Sequence, residues 1–126
     1  MKNYDQFHDG WLDGLLIDQK SVHVFLRTEE RHPFVVVARG VVALAADGFK
    51  AGNIIFEVVT RQKEELALQD ITRAYGLSEG STGRDQAQKL LDKALEQNLT
   101  VLEINPSYGA KCVILAESVD IVHRHE

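Results

Sequence analysis

The sequence predicts an α+β domain built mainly from antiparallel strands, on the strength of three rhythms in its hydrophobic pattern. Apolar residues recur at alternate positions before Thr60, at helical spacing between Glu64 and Leu95, and at alternate positions again after Asn98. The outer two are strand periods and the middle one is a helix period. Four strands, two helices and two strands (ββββ-αα-ββ) follow in that order. Strands grouped at hairpin distances favour an antiparallel sheet, with both helices packed on one face or across one end. A chain of 126 residues fits one domain, 1–126, since domains commonly hold ~100–150 residues.

Trp11, Leu15 and Ile17 form a short apolar segment closed by Asp18-Gln19-Lys20. Residues 21–27 alternate, with Val22, Val24 and Leu26 on one side and His23, Phe25 and Arg27 on the other. Residues 28–33 make a polar loop of hairpin length ending in proline, which resists strand pairing. The β-branched run 34–38 suits the middle of the sheet, Gly40 marks a bulge, and 41–45 continue beyond it. Turn signals at Asp47-Gly48 and Gly52-Asn53 precede a fourth strand. There Ile54, Phe56 and Val58 alternate with Ile55, Glu57 and Val59.

After Thr60 the period changes. Leu68, Ile71 and Tyr75 share a helical face, Glu64 and Glu65 suit the positive end of its dipole, and Gly76 stops it. Residues 78–83 form a loop, and Thr82 with Asp85 reads as an N-cap. Ala87, Leu90, Leu91, Ala94 and Leu95 then make an apolar stripe ending near Asn98. Residues 99–104 return to strand character, and Asn105-Pro106-Ser107-Tyr108-Gly109 has turn chemistry. Residues 111–122 form a last strand or strand pair, with Val113, Leu115, Val119 and Ile121 on one side.

Apolar residues at 44% supply a core, and charged residues at 26% are ordinary for a folded protein. The net charge of −5 comes from 14 basic and 19 acidic residues. Neither half is basic: 6 cations meet 8 acids in residues 1–60, and 8 meet 11 in residues 61–126. Nucleic-acid binding needs a clustered cationic excess, so it is not expected. Cys112 is the one cysteine, which excludes an internal disulfide and a multi-cysteine zinc site; its apolar setting reads as a buried thiol. The densest apolar stretch, 34–46, is broken by Arg39-Gly40 and falls short of the ~18–20 residues that cross a membrane. The acids at Asp5, Asp9, Asp13 and Asp18 do not suit a secretory or transit leader, so the expected location is the cytosol.

Chemistry-bearing residues are few. His8-Asp9 could act as a ligand and its orienting partner, but His23, His32 and His123 could join it only through the fold, and His125 falls in the C-terminal tail. Neither a metal site nor a cofactor is expected. Asp9-Gly10 and Asp13-Gly14 bracket Trp11-Leu12: a turn before the first strand with Trp11 in the core, or carboxylates beside a tryptophan anchor for a partner. Glu57 and Glu103 each stand between apolar residues in a strand. Alternation lets both face water; burial would make either a candidate acid or base. Neither a nucleophile elbow nor a phosphate loop occurs. The candidate binding residues are therefore His8, Asp9, Trp11, Asp13 and Tyr108, with no catalytic residue assigned.

Three stretches carry a resemblance: Phe7-His8-Asp9-Gly10-Trp11-Leu12-Asp13-Gly14, Gly52-Asn53-Ile54-Ile55, and Glu103-Ile104-Asn105-Pro106-Ser107-Tyr108-Gly109-Ala110. Together they resemble small bacterial β-rich proteins, among them immunity proteins of toxin systems. The resemblance implies a protein-binding role and transfers no catalytic residue. The expected function is non-catalytic recognition of another protein, basic ones included, through an acidic face near the N-terminal strands. The alternatives are a small ligand-binding domain or enzyme, with a pocket between sheet and helices using His8, Asp9 and a strand glutamate, and self-association through strand edges.

Overall fold

The structure is a computed structural model that describes residues 1–124. Seven strands, β1 (Lys2–Asn3), β2 (Trp11–Asp18), β3 (Ser21–Arg27), β4 (Pro33–Asp47), β5 (Ile54–Gln62), β6 (Thr100–Tyr108) and β7 (Lys111–His123), form one sheet. Helices α1 (Leu68–Tyr75) and α2 (Ser81–Glu96) lie between β5 and β6. This is the expected α+β order, with β1 added at the front. Every strand pairing is antiparallel.

The sheet closes on itself. β5 pairs with β6 along one edge and with β1 and β2 along the other, so β2-β3-β4-β7-β6-β5 returns to β2 as a six-stranded barrel. Closure uses up the edges through which strands self-associate. Val22, Val24 and Leu26 point inward, as their alternation predicts, and meet Val36, Ala38, Leu102, Ile104 and Ile114 in the barrel interior. Phe7, on a 3-10 turn over Asp5–Phe7, inserts with them and meets Phe34 edge to face at 5.2 Å. Burying one such side chain fully stabilises the fold by about 1.5–3 kcal/mol.

Both helices pack outside the barrel. Ile71 and Ala74 of α1 and Ala87 and Ala94 of α2 cover Val101 of β6 with Val113 and Leu115 of β7. Leu95, expected in that stripe, is 40% exposed because it lies past the contact face. Gly76 ends α1 in the left-handed conformation. Glu64 and Glu65 flank α1 within a separate 3-10 turn (Lys63–Glu65), and Asp70 instead accepts the Ala67 N–H at 3.0 Å. Thr82 is not the cap of α2: Gly80 holds that position, and Thr82 lies inside the first turn.

Bulges explain the remaining departures. The β5–β6 register slips at Phe56, so Ile55 and Val58 both enter the barrel while Ile54 and Phe56 face out. Alternation through residues 54–59 therefore breaks where the extra residue is absorbed. Gly40 adopts a φ of 65°, and a Cβ there would collide with the side chain of Glu117 across the ladder. Ala38 and Val41 both face inward around it, as do Ala116 and Val119 opposite. Val113 and Leu115 thus face the helices, whereas Val119 and Ile121 face the barrel; they do not share a side. Asn105 to Tyr108 belong to β6, because they pair with β5, and the chain reverses only at Gly109-Ala110.

The barrel seam is short, with Trp11↔Ile54 the one ladder pair between β2 and β5. Asn53, 6% exposed, secures it. Its Oδ1 accepts the N–H groups of Lys50 (2.8 Å) and Ala110 (3.1 Å), and its Nδ2 donates to the carbonyls of Leu12 (3.3 Å) and Lys50 (3.1 Å). Gly109, at a φ of 93°, leaves room for this amide, since a Cβ there would strike Asn53 Oδ1. Asn53→Ala strands a buried N–H and a buried carbonyl, so urea unfolding is expected to show a loss of about 2–4 kcal/mol. A loss within ordinary surface-substitution scatter (about 0.5 kcal/mol) would show that the seam does not depend on Asn53.

Candidate functional site

The five candidate binding residues all come from stretches that meet at the seam. Leu12 and Ala110 are tied to Asn53, and Gly10 exchanges backbone bonds with Ile55. Across the outer surface, ladder register sets Arg27 beside Trp11, Trp11 beside Ile54, and Ile54 beside Tyr108. Tyr108 is 55% exposed and Phe56, two residues beyond Ile54, is 52% exposed. Trp11 is half-buried and lies outside the core, under the guanidinium groups of Arg27 (4.9 Å) and Arg31 (5.5 Å). Asp13 does not stand free: Arg27 grips its carboxylate through Nε (2.7 Å) and NH2 (2.9 Å).

His8 is exposed at the rim of this face. Its Nδ1 lies 2.8 Å from the carbonyl oxygen of Phe56, its Nε2 lies 3.5 Å from Asp9 Oδ2, and its ring meets Phe56 edge to face. That hydrogen bond to Phe56 comes first in raising its pKa, followed by the negative charges of Asp9, Glu29 and Asp5. Two shallow clefts flank His8. One is lined by Tyr4, Asp5, Phe56 and Glu57, the other by Asp5, Glu29, Glu30, His32 and Phe34. Phe56 and Phe34 are thus ringed by carboxylates. Among the described residues, no group of three or more His, Cys, Asp or Glu is placed to hold a metal ion. His125 lies outside the described residues.

Glu103 overturns its expected exposure. It is 5% exposed, between the barrel wall and α1. Arg61 donates to its Oε1 at 2.7 Å, while Arg73 (3.1 Å) and Lys111 (3.5 Å) approach Oε2. Arg61 also binds Asp70 at 2.5 and 3.3 Å. The cations come from β5, α1 and β7, so the helix covers the carboxylate that alternation alone would send into water. Glu57 stays half-buried and accepts from Asn105 Nδ2 at 3.0 Å. Cys112 is fully buried, and desolvation pushes its thiol pKa up to about 12, so it has no thiolate character at neutral pH.

Burial alone would raise the pKa of Glu103. The Arg61 hydrogen bond, with the charges of Arg61, Lys111 and Arg73, overcomes this and holds the carboxyl below its usual 4.5. A carboxyl with a depressed folded-state pKa stabilises fully above its unfolded value, and that contribution fades as pH falls through the folded one. Urea midpoints are therefore expected to drop on acidification below about pH 4.5. Glu103→Gln should flatten that dependence and cost about 3 kcal/mol at neutral pH, because three cations lose their buried partner; an unchanged acid limb would remove Glu103 from the account. At the seam, NMR titration should find His8 above 6.5, and Asp9→Asn should lower it. A His8 titrating below 6.5 would mean that the rim is not negatively charged.

Among the described residues, no helix is long and apolar enough to cross a membrane. No protein-family model, curated protein or solved structure matches the chain.

Proposed function

We propose that this chain is a non-catalytic binding protein that docks a basic protein partner on the outer face of the barrel seam. The observation that carries the reading is the exposed row Trp11, Ile54, Tyr108 with Phe56 on the same strand. The barrel core is already filled from its inner face, so these side chains are not needed there. Exposed aromatic side chains rimmed by charge are characteristic of recognition surfaces. Asp5, Asp9, Glu29 and Glu30 give the rim its sign, and the whole chain adds a net −5. Complementary charge of this kind speeds encounter and selects cationic partners. Neutralising a basic toxin in the bacterial cytosol is one task that such a surface suits.

A pocket enzyme built on His8 and a strand glutamate fits less well. The cleft that His8 shares with Glu57 holds about 160 Å³, below the ~300–1,000 Å³ of small-molecule sites. Glu103 is engaged elsewhere, by Arg61, Arg73 and Lys111. Immobilised protein is expected to retain a basic protein from its host lysate, more weakly as salt rises. Phe56→Ser with Tyr108→Ser should weaken retention at least about tenfold without lowering the melting temperature. Equal retention by the double variant would sink the reading, as would a partner with an acidic surface.

A further inference from the structure

Where α1 meets the barrel, the charges do not balance. Arg61, Arg73 and Lys111 gather around two carboxylates, Asp70 and Glu103. Arg61 is committed to both acids and is only 18% exposed, so the surplus positive charge falls on the other two cations. Arg73 and Lys111 share one carboxylate oxygen, Glu103 Oε2, and their side chains are 39% and 36% exposed. Both line a groove of about 490 Å³ whose other wall is Leu44, Ala45, Ala46, Asp47 and Val113, a volume in the range of small-molecule sites (~300–1,000 Å³).

We propose that this groove binds a small molecule with an anionic head on a short apolar body, the head between Arg73 and Lys111 and the body along Ala45 and Val113. The buried Glu103 carboxylate fixes one side of both cations, so their remaining donors are held in place toward the groove. Preorganised donors bind anions without the entropic cost of ordering two long side chains. A carboxylate and a phosphate monoester both match a guanidinium beside an ammonium. Asp47 sits at the groove and faces Lys111 across the β4–β7 ladder. Among the described residues it makes no ion pair with either cation, and its charge opposes the incoming anion. The site is separate from the seam, so it stands or falls apart from the protein-binding reading.

NMR titration with octanoate, octyl phosphate and octanol tests it. At least one of the two anions should shift the amides of Asp47, Arg73, Lys111 and Val113 saturably, and octanol should not. Lys111→Gln should weaken that anion about tenfold, and Asp47→Asn should tighten it several-fold by removing a like charge. Arg73→Lys, which keeps the charge but loses the planar fork, serves as a second variant and should weaken binding while the melting temperature holds. The proposal is overturned if shifts never saturate, if octanol binds as well as the anions, or if inorganic phosphate alone binds as tightly as they do. It also fails if affinity is indifferent to both Lys111→Gln and Asp47→Asn.

Discussion

The constraint on which this fold turns is the closing of a barrel across a seam that has almost no ladder. Between β2 and β5 a single residue pair carries strand register. Flanking it, Asp9, Gly10 and Leu12 exchange backbone bonds with Ile55 and Asn53 where neither segment is regular strand. A short junction of this kind leaves peptide groups at risk of burial without partners, and each orphan costs about 1–3 kcal/mol. The Asn53 amide answers that cost locally. It bonds the N–H or C=O of three segments that are far apart in sequence, at Leu12, Lys50 and Ala110. Glutamine would be a methylene too long for this position, and aspartate would set a carboxylate against the Leu12 and Lys50 carbonyls.

The strands and helices were legible in the sequence because each obeys a local period. Residues 21–27 alternate without interruption and are a strand to the residue, and Gly76 stops α1 where its φ preference says it should. Closure was not legible. It depends on β5 finding β2 and β6, some forty residues away on either side, and pairing at that separation leaves no mark on a window of ten residues. Bulges were half legible. Gly40 announces one, but Phe56 and Glu117 carry no residue-level sign, and each inverts the facing of everything after it. For that reason Val113 and Val119 were grouped on one side although they face different cores.

Glu103 shows the limit of reading polarity from a strand pattern. Its neighbours Leu102 and Ile104 point into the barrel, so alternation sends Glu103 outward as expected. Outward here means toward α1, not toward water. No feature of residues 99–104 says that a helix will cover them; that information sits in Arg61, Asp70 and Arg73, whose charges make sense only together. The cluster does not stabilise simply by being ionic, since desolvating five charged groups offsets much of their attraction. Its physical effect is orientation. Apolar contacts through Ile71 and Ala74 tolerate rotation of α1 on the barrel, whereas a carboxylate shared by β5, α1 and β7 fixes one setting.

The same stretches that close the barrel also make its most apolar outer surface, and the two roles are compatible for a geometric reason. In a strand the inward residue and its neighbour serve opposite faces. Leu12 and Ile55 supply the core, leaving Trp11, Ile54 and Phe56 to be chosen by what happens outside. A seam built from backbone and a buried amide holds those outer side chains at fixed spacing without asking them to pack. A partner meeting this face therefore encounters a surface that is already formed and loses little conformational entropy in binding it. The turn chemistry of Asp9-Gly10 and Gly109 and the exposed aromatics of Phe56 and Tyr108 are consequently not rival explanations of these motifs. The turns place the strands, and the strands present the aromatics.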